Sequence, residues 1–169
     1  MMNTEQQKLR LHSKTYVSII IIGLAISGLT AFPLETEMAY LVKYIEILPV
    51  SLQTWLGAVY QALKATNLQY PFLSYGTDWL AFAHIMLAIL FIGPLKDPVK
   101  NKWVIDFGMI CCIAIIPLAL IAGNIRQIPL FWQLIDCSFG IFGIVPLILC
   151  RINIKKIEIL AEHYGLWTL

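Results

Sequence analysis

Charge is scarce in this chain: 13% of its 169 residues are Asp, Glu, Lys or Arg, against 59% hydrophobic. Mean hydropathy is +0.77. A soluble domain disperses its apolar residues, whereas these stand in long blocks, so a water-soluble fold is excluded. The formal net charge of +2 gives no argument for nucleic-acid binding, and none is expected. Cysteine is sparse as well. None of the four lies between residues 33 and 77, and no CxxC pair occurs. That excludes a disulfide scaffold and thiol exchange, leaving Cys111, Cys112, Cys137 and Cys150 as small apolar fillers. Histidine occurs three times, with no HExxH motif and no paired-histidine spacing. His84, Asp136 and either Glu35 or Asp78 are suitable metal-ligand types, but no spacing supports a site. Haem would need a second axial ligand from elsewhere. No metal or cofactor is expected.

Four apolar blocks are present, Tyr16 to Phe32, Trp79 to Leu95, Trp103 to Ala122, and Leu130 to Cys150. Each approaches the roughly 20 residues that cross about 30 Å of hydrocarbon as a helix. The basic segment before the first block resembles the start of an export signal, but the apolar run continues through Ala31 to Pro33, and it is read as a permanent span. The expected fold is all-α: a single integral membrane domain over residues 1–169, built as a four-helix bundle with a helical outer loop at 33–77 and a cytoplasmic tail at 151–169.

Basic residues alternate between connections. Lys8, Arg10, Lys14, Lys96, Lys100, Lys102, Arg151, Lys155 and Lys156 fall on one side; Lys43, Lys64 and Arg126 fall on the other. The positive-inside rule makes the first side cytoplasmic, so both termini are expected inside. His12 and His163 then face the cytoplasmic solvent.

The outer connection predicts two helices divided by Pro49. From Ser51, a candidate N-cap, Leu52, Trp55, Leu56, Val59, Tyr60 and Leu63 recur at helical spacing. Thr36 is a candidate cap for the less regular segment Glu37 to Leu48, and Thr77 or Asp78 for span two. This cover can act as a lid, lie in the lipid interface, or hold another protein. Small residues mark expected helix contacts: Gly23, Ser27 and Thr30 on span one, Ala81, His84 and Ala88 on span two, and Gln133, Asp136, Gly140 and Gly143 on span four. Pro117 and Pro146 are expected to loosen spans three and four.

Ionisable groups inside a span are costly and need partners or a task. His84 and Asp136 each stand six residues inside a span entered from the outer side, about 9 Å deep. Asp106 enters from the opposite side and reads as an interfacial first-turn acid. For His84 and Asp136 two readings stand: an acid/base pair in which the carboxylate orients the imidazole, or an interhelical hydrogen bond that sets register. Glu35, Glu37, Asp78, Trp79, Arg126, Trp132 and Gln133 are the candidate ligand-binding residues around them. Arg126 can pair with Asp136 or Glu35, hold an anionic headgroup, or stay in solvent.

The segments Tyr70-Pro-Phe-Leu-Ser-Tyr-Gly-Thr-Asp-Trp-Leu-Ala-Phe-Ala-His84, Gly93-Pro-Leu-Lys-Asp-Pro-Val-Lys100 and Ile128-Pro-Leu-Phe-Trp-Gln-Leu-Ile-Asp-Cys-Ser-Phe-Gly140 resemble a group of uncharacterised bacterial four-span integral membrane proteins. The resemblance covers most of the chain, implies a bacterial plasma (inner) membrane as the location, and brings no activity. In layout alone the chain is similar to the EXPERA group of sterol-binding and isomerising membrane proteins, from which no residue is transferred. The resulting expectation is an outer polar pocket that binds a small amphipathic or lipid-like molecule. The alternatives are a membrane enzyme using His84 and Asp136, or a non-catalytic accessory subunit. The expected partners are membrane lipid, that ligand, and a second copy or another membrane protein. Four spans without an internal repeat argue against a stand-alone transporter.

Overall fold

The computed structural model describes residues 4–163. They are all-α, with no strand among them: α1 Thr4–Ala31, α2 Leu34–Lys43, α3 Val50–Gln69, α4 Tyr75–Leu90, α5 Ile92–Lys96, α6 Lys102–Ile125 and α7 Leu130–His163, plus 3-10 turns at Ile45–Ile47 and Pro71–Leu73. Four helical stretches are long and apolar enough to cross a membrane: Thr4–Ala31, Pro71–Lys96, Lys102–Ile125 and Leu130–His163. A helix satisfies its own backbone hydrogen bonds, which hydrocarbon requires. Large apolar side chains on these helices point outward; Leu29 is 62% exposed, Leu118 65% and Phe142 74%. Such surface is costly against water and compatible with a multi-pass membrane protein.

Several boundaries differ from expectation. α1 starts at Thr4 rather than Tyr16, because the basic segment keeps an inward side on which Gln6 and Ser13 are buried. α4 starts at Tyr75 and stops at Leu90, short of Leu95. Pro94 explains the stop, since its ring clashes with the carbonyl four residues back. α7 continues past Cys150, so the expected tail is helical through His163, and residues 164–169 lie outside the described residues. The expected side-chain caps are absent. α2 and α3 begin after Pro33 and Pro49, neither with a side-chain cap bond, and Thr36 and Ser51 lie inside the helices. Thr77 and Asp78 likewise fall inside α4.

The chain divides into two compact units, Gly23–Leu87 and Met1–Ile22 with Ala88–Leu169. In the latter, α6 and α7 pack as a hairpin. The seam on α7 repeats every seven residues through Gln133, Gly140, Leu147 and Ile154, all buried, which is why the helix outlasts its apolar block. Gly140 lets α7 touch the backbone carbonyl of Cys112, and Gly108 lies beneath Phe91 and Leu147. The hairpin turn is a Schellman motif: Ile128 N–H donates to Gly123 O at 2.9 Å and Gln127 N–H to Asn124 O at 3.2 Å. Gln127 takes the left-handed conformation there (φ 58°), which usually falls to glycine.

Ion pairs tie the opposite end of this hairpin. Arg151 Nε meets Asp106 Oδ1 at 2.7 Å, and Lys102 Nζ meets Glu158 Oε1 at 2.8 Å. Asp106 is thus a paired group rather than only a first-turn acid. Arg10 reaches Asp97 Oδ1 at 3.3 Å, an oxygen that also accepts from the backbone N–H groups of Val99 and Lys100. Asn101 closes the same segment by donating to the carbonyls of Gly93 and Asp97.

In the unit Gly23–Leu87, α1 and α4 meet at Gly28. A methyl group there would lie 2.8 Å from the Ala81 carbonyl oxygen and 3.2 Å from His84 Cβ. The expected stripe Gly23, Ser27 and Thr30 is instead exposed, and Thr30 bonds back to the Ile26 carbonyl. Gly28 shares its side of the helix with Leu24 and Ala31, and that spacing decides the contact. On α4 the expected side is observed: Ala81 and Ala88 are buried and His84 is half-buried. On α3, Leu56 is buried, while Leu52, Trp55, Val59, Tyr60 and Leu63 are half-buried.

Gly28→Ala and Gly140→Ala should each cost about 1–3 kcal/mol, because a backbone carbonyl must move. Gly23→Ala, with nothing within 4 Å of the new methyl group, should be neutral or slightly stabilising. Thermal unfolding in mild detergent checks the contrast.

Candidate functional site

α2 and α3 pack on one another, and the inner side of α3 runs through Leu56, Tyr60, Leu63 and Asn67 at steps of four, three and four. The helical repeat therefore carries a polar residue onto an apolar side. Asn67 meets Glu35 there, in the first turn of α2: its Nδ2 donates to Glu35 Oε2. Its Oδ1 accepts from Ser74 Oγ. Ser74 also leads into α4, where its carbonyl accepts from Thr77 N–H at 2.9 Å and Asp78 N–H at 3.2 Å. One asparagine thus links the start of α2 to the start of α4 through the end of α3.

A cavity of about 150 Å³ lies against this chain of bonds. Its polar walls are Glu35, Thr36, Asn67, Ser74, Thr77 and Asp78, and its apolar walls include Phe32 and Leu63. Next to it is a cleft of about 280 Å³ lined by Phe32, Tyr75, Asp78, Trp79 and Phe82. Tyr75, Trp79 and Phe82 follow one another along one side of α4. Their rings meet edge to face, with centroids 6.0 Å apart in both pairs and interplanar angles of 81° and 85°. Phe32 and Asp78 belong to both spaces.

His84 lies farther along α4, about 9 Å from Asp78 by helical rise. Its Nδ1 is 2.8 Å from the Leu80 carbonyl. A carbonyl only accepts, so Nδ1 carries the hydrogen and Nε2 is left as an acceptor when the ring is neutral. Counted from the helix starts, His84 is nine residues into α4 and Asp136 six into α7, about 14 and 9 Å.

Of the residues singled out in the sequence, Glu35 and Asp78 line the cavity and Trp79 the cleft. Glu37 is half-buried in α2 and is not among the cavity walls. Arg126, Trp132, Gln133 and Asp136 belong to the other unit. Arg126 is exposed at the hairpin turn, and Trp132 is half-buried in the first turn of α7. Gln133, 1% exposed, donates its amide to Ile128 O at 2.7 Å and closes that turn. Asp136 is half-buried, three residues after Gln133, and its side chain has no hydrogen bond or ion pair among the described residues of its own unit.

No protein-family model, curated protein or solved structure matches the chain. The chemistry of the site rests on its own geometry.

Asn67, Ser74, Phe32, Tyr75 and Phe82 were not anticipated as site residues. Asn67 was legible in principle, as the one polar residue continuing the apolar spacing of α3. Ser74 was not, since its role depends on where the 3-10 turn Pro71–Leu73 delivers it. Asn67→Ala should cost about 1–3 kcal/mol by stranding Glu35 and Ser74, and Ser74→Ala less. Denaturation of both variants in detergent measures the difference.

Proposed function

We propose that the protein is a multi-pass protein of the plasma (inner) membrane that binds a small amphipathic or lipid-like ligand in the cavity beside Glu35, Asn67, Ser74 and Asp78, on the outer side. The observation that carries this reading is a polar cavity and an aromatic cleft side by side, sharing Phe32 and Asp78 as walls. An amphipathic molecule needs those two surfaces side by side: acceptors and donors for its head, apolar walls for its chain. The aromatic residues suit the level of lipid headgroups. Lys and Arg support the orientation, with nine in the connections assigned to the cytoplasm, along with both termini, and three in the others.

A second reading, that the bound molecule is also converted, draws on His84. Hydrogen bonding to Leu80 holds its ring with Nε2 as the acceptor, the form a general base requires.

Mass spectrometry after gentle extraction tests the binding reading. Wild-type protein should retain an amphipathic molecule, and Thr36→Trp, which places a bulky ring at an exposed cavity wall, should lose it while keeping its melting temperature. A wild-type protein that retains nothing, or equal retention by both, overturns the proposal. Orientation is tested separately, in a background cleared of native cysteines. A membrane-impermeant maleimide should label Lys64→Cys in intact cells and leave Lys100→Cys unlabelled until the membrane is opened.

A further inference from the structure

The walls of the cavity carry two carboxylates, Glu35 and Asp78, and no Lys, Arg or His. The unit Gly23–Leu87 contains only two lysines, and both are exposed. Lys43 lies 4.8 Å from the centre of the Tyr40 ring, and neither lysine is a cavity wall. Glu35 accepts one hydrogen bond, from a neutral amide. Asp78 makes no side-chain hydrogen bond or ion pair within its unit. Both acids sit in the first turns of helices, where the helix dipole favours them. The dipole accounts for acids at those positions but not for their lining one space whose walls hold no cation. The neighbouring cleft adds a separate requirement, since apart from Asp78 its walls are Phe32, Tyr75, Trp79 and Phe82.

From this pairing we infer that the ligand class is an amphipathic amine: a protonated primary or secondary amine on an apolar chain, with its ammonium group between Glu35 and Asp78 and its chain along the aromatic cleft. This deepens the binding reading above and rests on it. An ammonium brings only donors, and the cavity offers acceptors in both carboxylates and in the hydroxyls of Ser74 and Thr77. A carboxylic acid or phosphate head would meet like charge with no counter-cation. An alcohol would fit the space but gain only neutral hydrogen bonds, which are weaker than charge-assisted ones.

Decylamine and decanol, each carrying a photoreactive diazirine in the chain, test the inference on the full-length protein in phosphatidylcholine nanodiscs. Crosslinked peptides are quantified by mass spectrometry, with labelling of α6 as the measure of general partitioning into lipid. The amine should label the peptides of Phe32 and Tyr75–Phe82 at least about tenfold more than the alcohol after that correction. The double variant Glu35→Gln, Asp78→Asn should bring the amine down to the level of the alcohol while α6 labelling and the melting temperature stay unchanged. Should the double variant fail to fold, Asp78→Asn alone, which breaks no side-chain bond within its unit, should still lower the amine signal severalfold. Equal labelling of the cleft by both probes in wild-type protein, blocked by Thr36→Trp, overturns the amine and leaves the amphiphile-binding reading standing. Labelling of the cleft by neither probe overturns both.

Discussion

Two helix backbones can touch only where no side chain stands between them, and the contacts that organise each unit of this protein are built at such places. Apolar helices in lipid gain nothing by removing apolar surface from water, so close packing and dispersion must hold them. Gly28 against the carbonyl of Ala81, and Gly140 against that of Cys112, supply that closeness. The first of these contacts reaches the candidate site. By fixing α1 against residues 81–85 of α4, Gly28 also sets where Asp78 stands, one turn before Ala81. It does so beside the end of α1, from which α2 and Glu35 follow after Phe32 and Pro33. A glycine that touches no ligand thereby sets the spacing of the walls that would.

Apolar blocks showed the four long helices and the helical connection between the first two, because hydrocarbon leaves a spanning chain little choice but a helix. The ends of those helices were harder to read. A helix stops where geometry stops it, as Pro94 does for α4, and continues where a buried seam continues, as Leu147, Cys150, Ile154 and Ile157 carry α7 beyond its apolar run. Polarity of the chain from residue 151 onward marks a change of surroundings, not a change of secondary structure. The same distinction explains α1, whose basic first turns have a buried side at Gln6 and Ser13.

Pairings between distant residues were the least legible part. Asp106 with Arg151, Arg10 with Asp97, and Glu35 with Asn67 join positions separated by 45, 87 and 32 residues. Periodicity assigns a residue to a side of its own helix but does not state which helix faces it. Glu35 and Asp78 were legible as acids near helix starts. Their opening onto one cavity depends on the turn at Pro71–Leu73, which brings Ser74 to Asn67.

Physical economy also accounts for the form of the cavity. Acids clustered in an apolar setting repel one another unless something holds them, and the usual device is an arginine or lysine between them. Here the holding groups are neutral: the Asn67 amide fixes Glu35, Ser74 fixes Asn67, and the starts of α2 and α4 lend their dipoles to Glu35 and Asp78. A neutral scaffold satisfies hydrogen bonds without cancelling charge. It leaves the space negative and frames it with a relay of bonds rather than a close ion pair, beside the aromatic cleft. If a cation completes this arrangement, it has to come from outside the cavity walls, and the cleft requires that it arrive on an apolar chain.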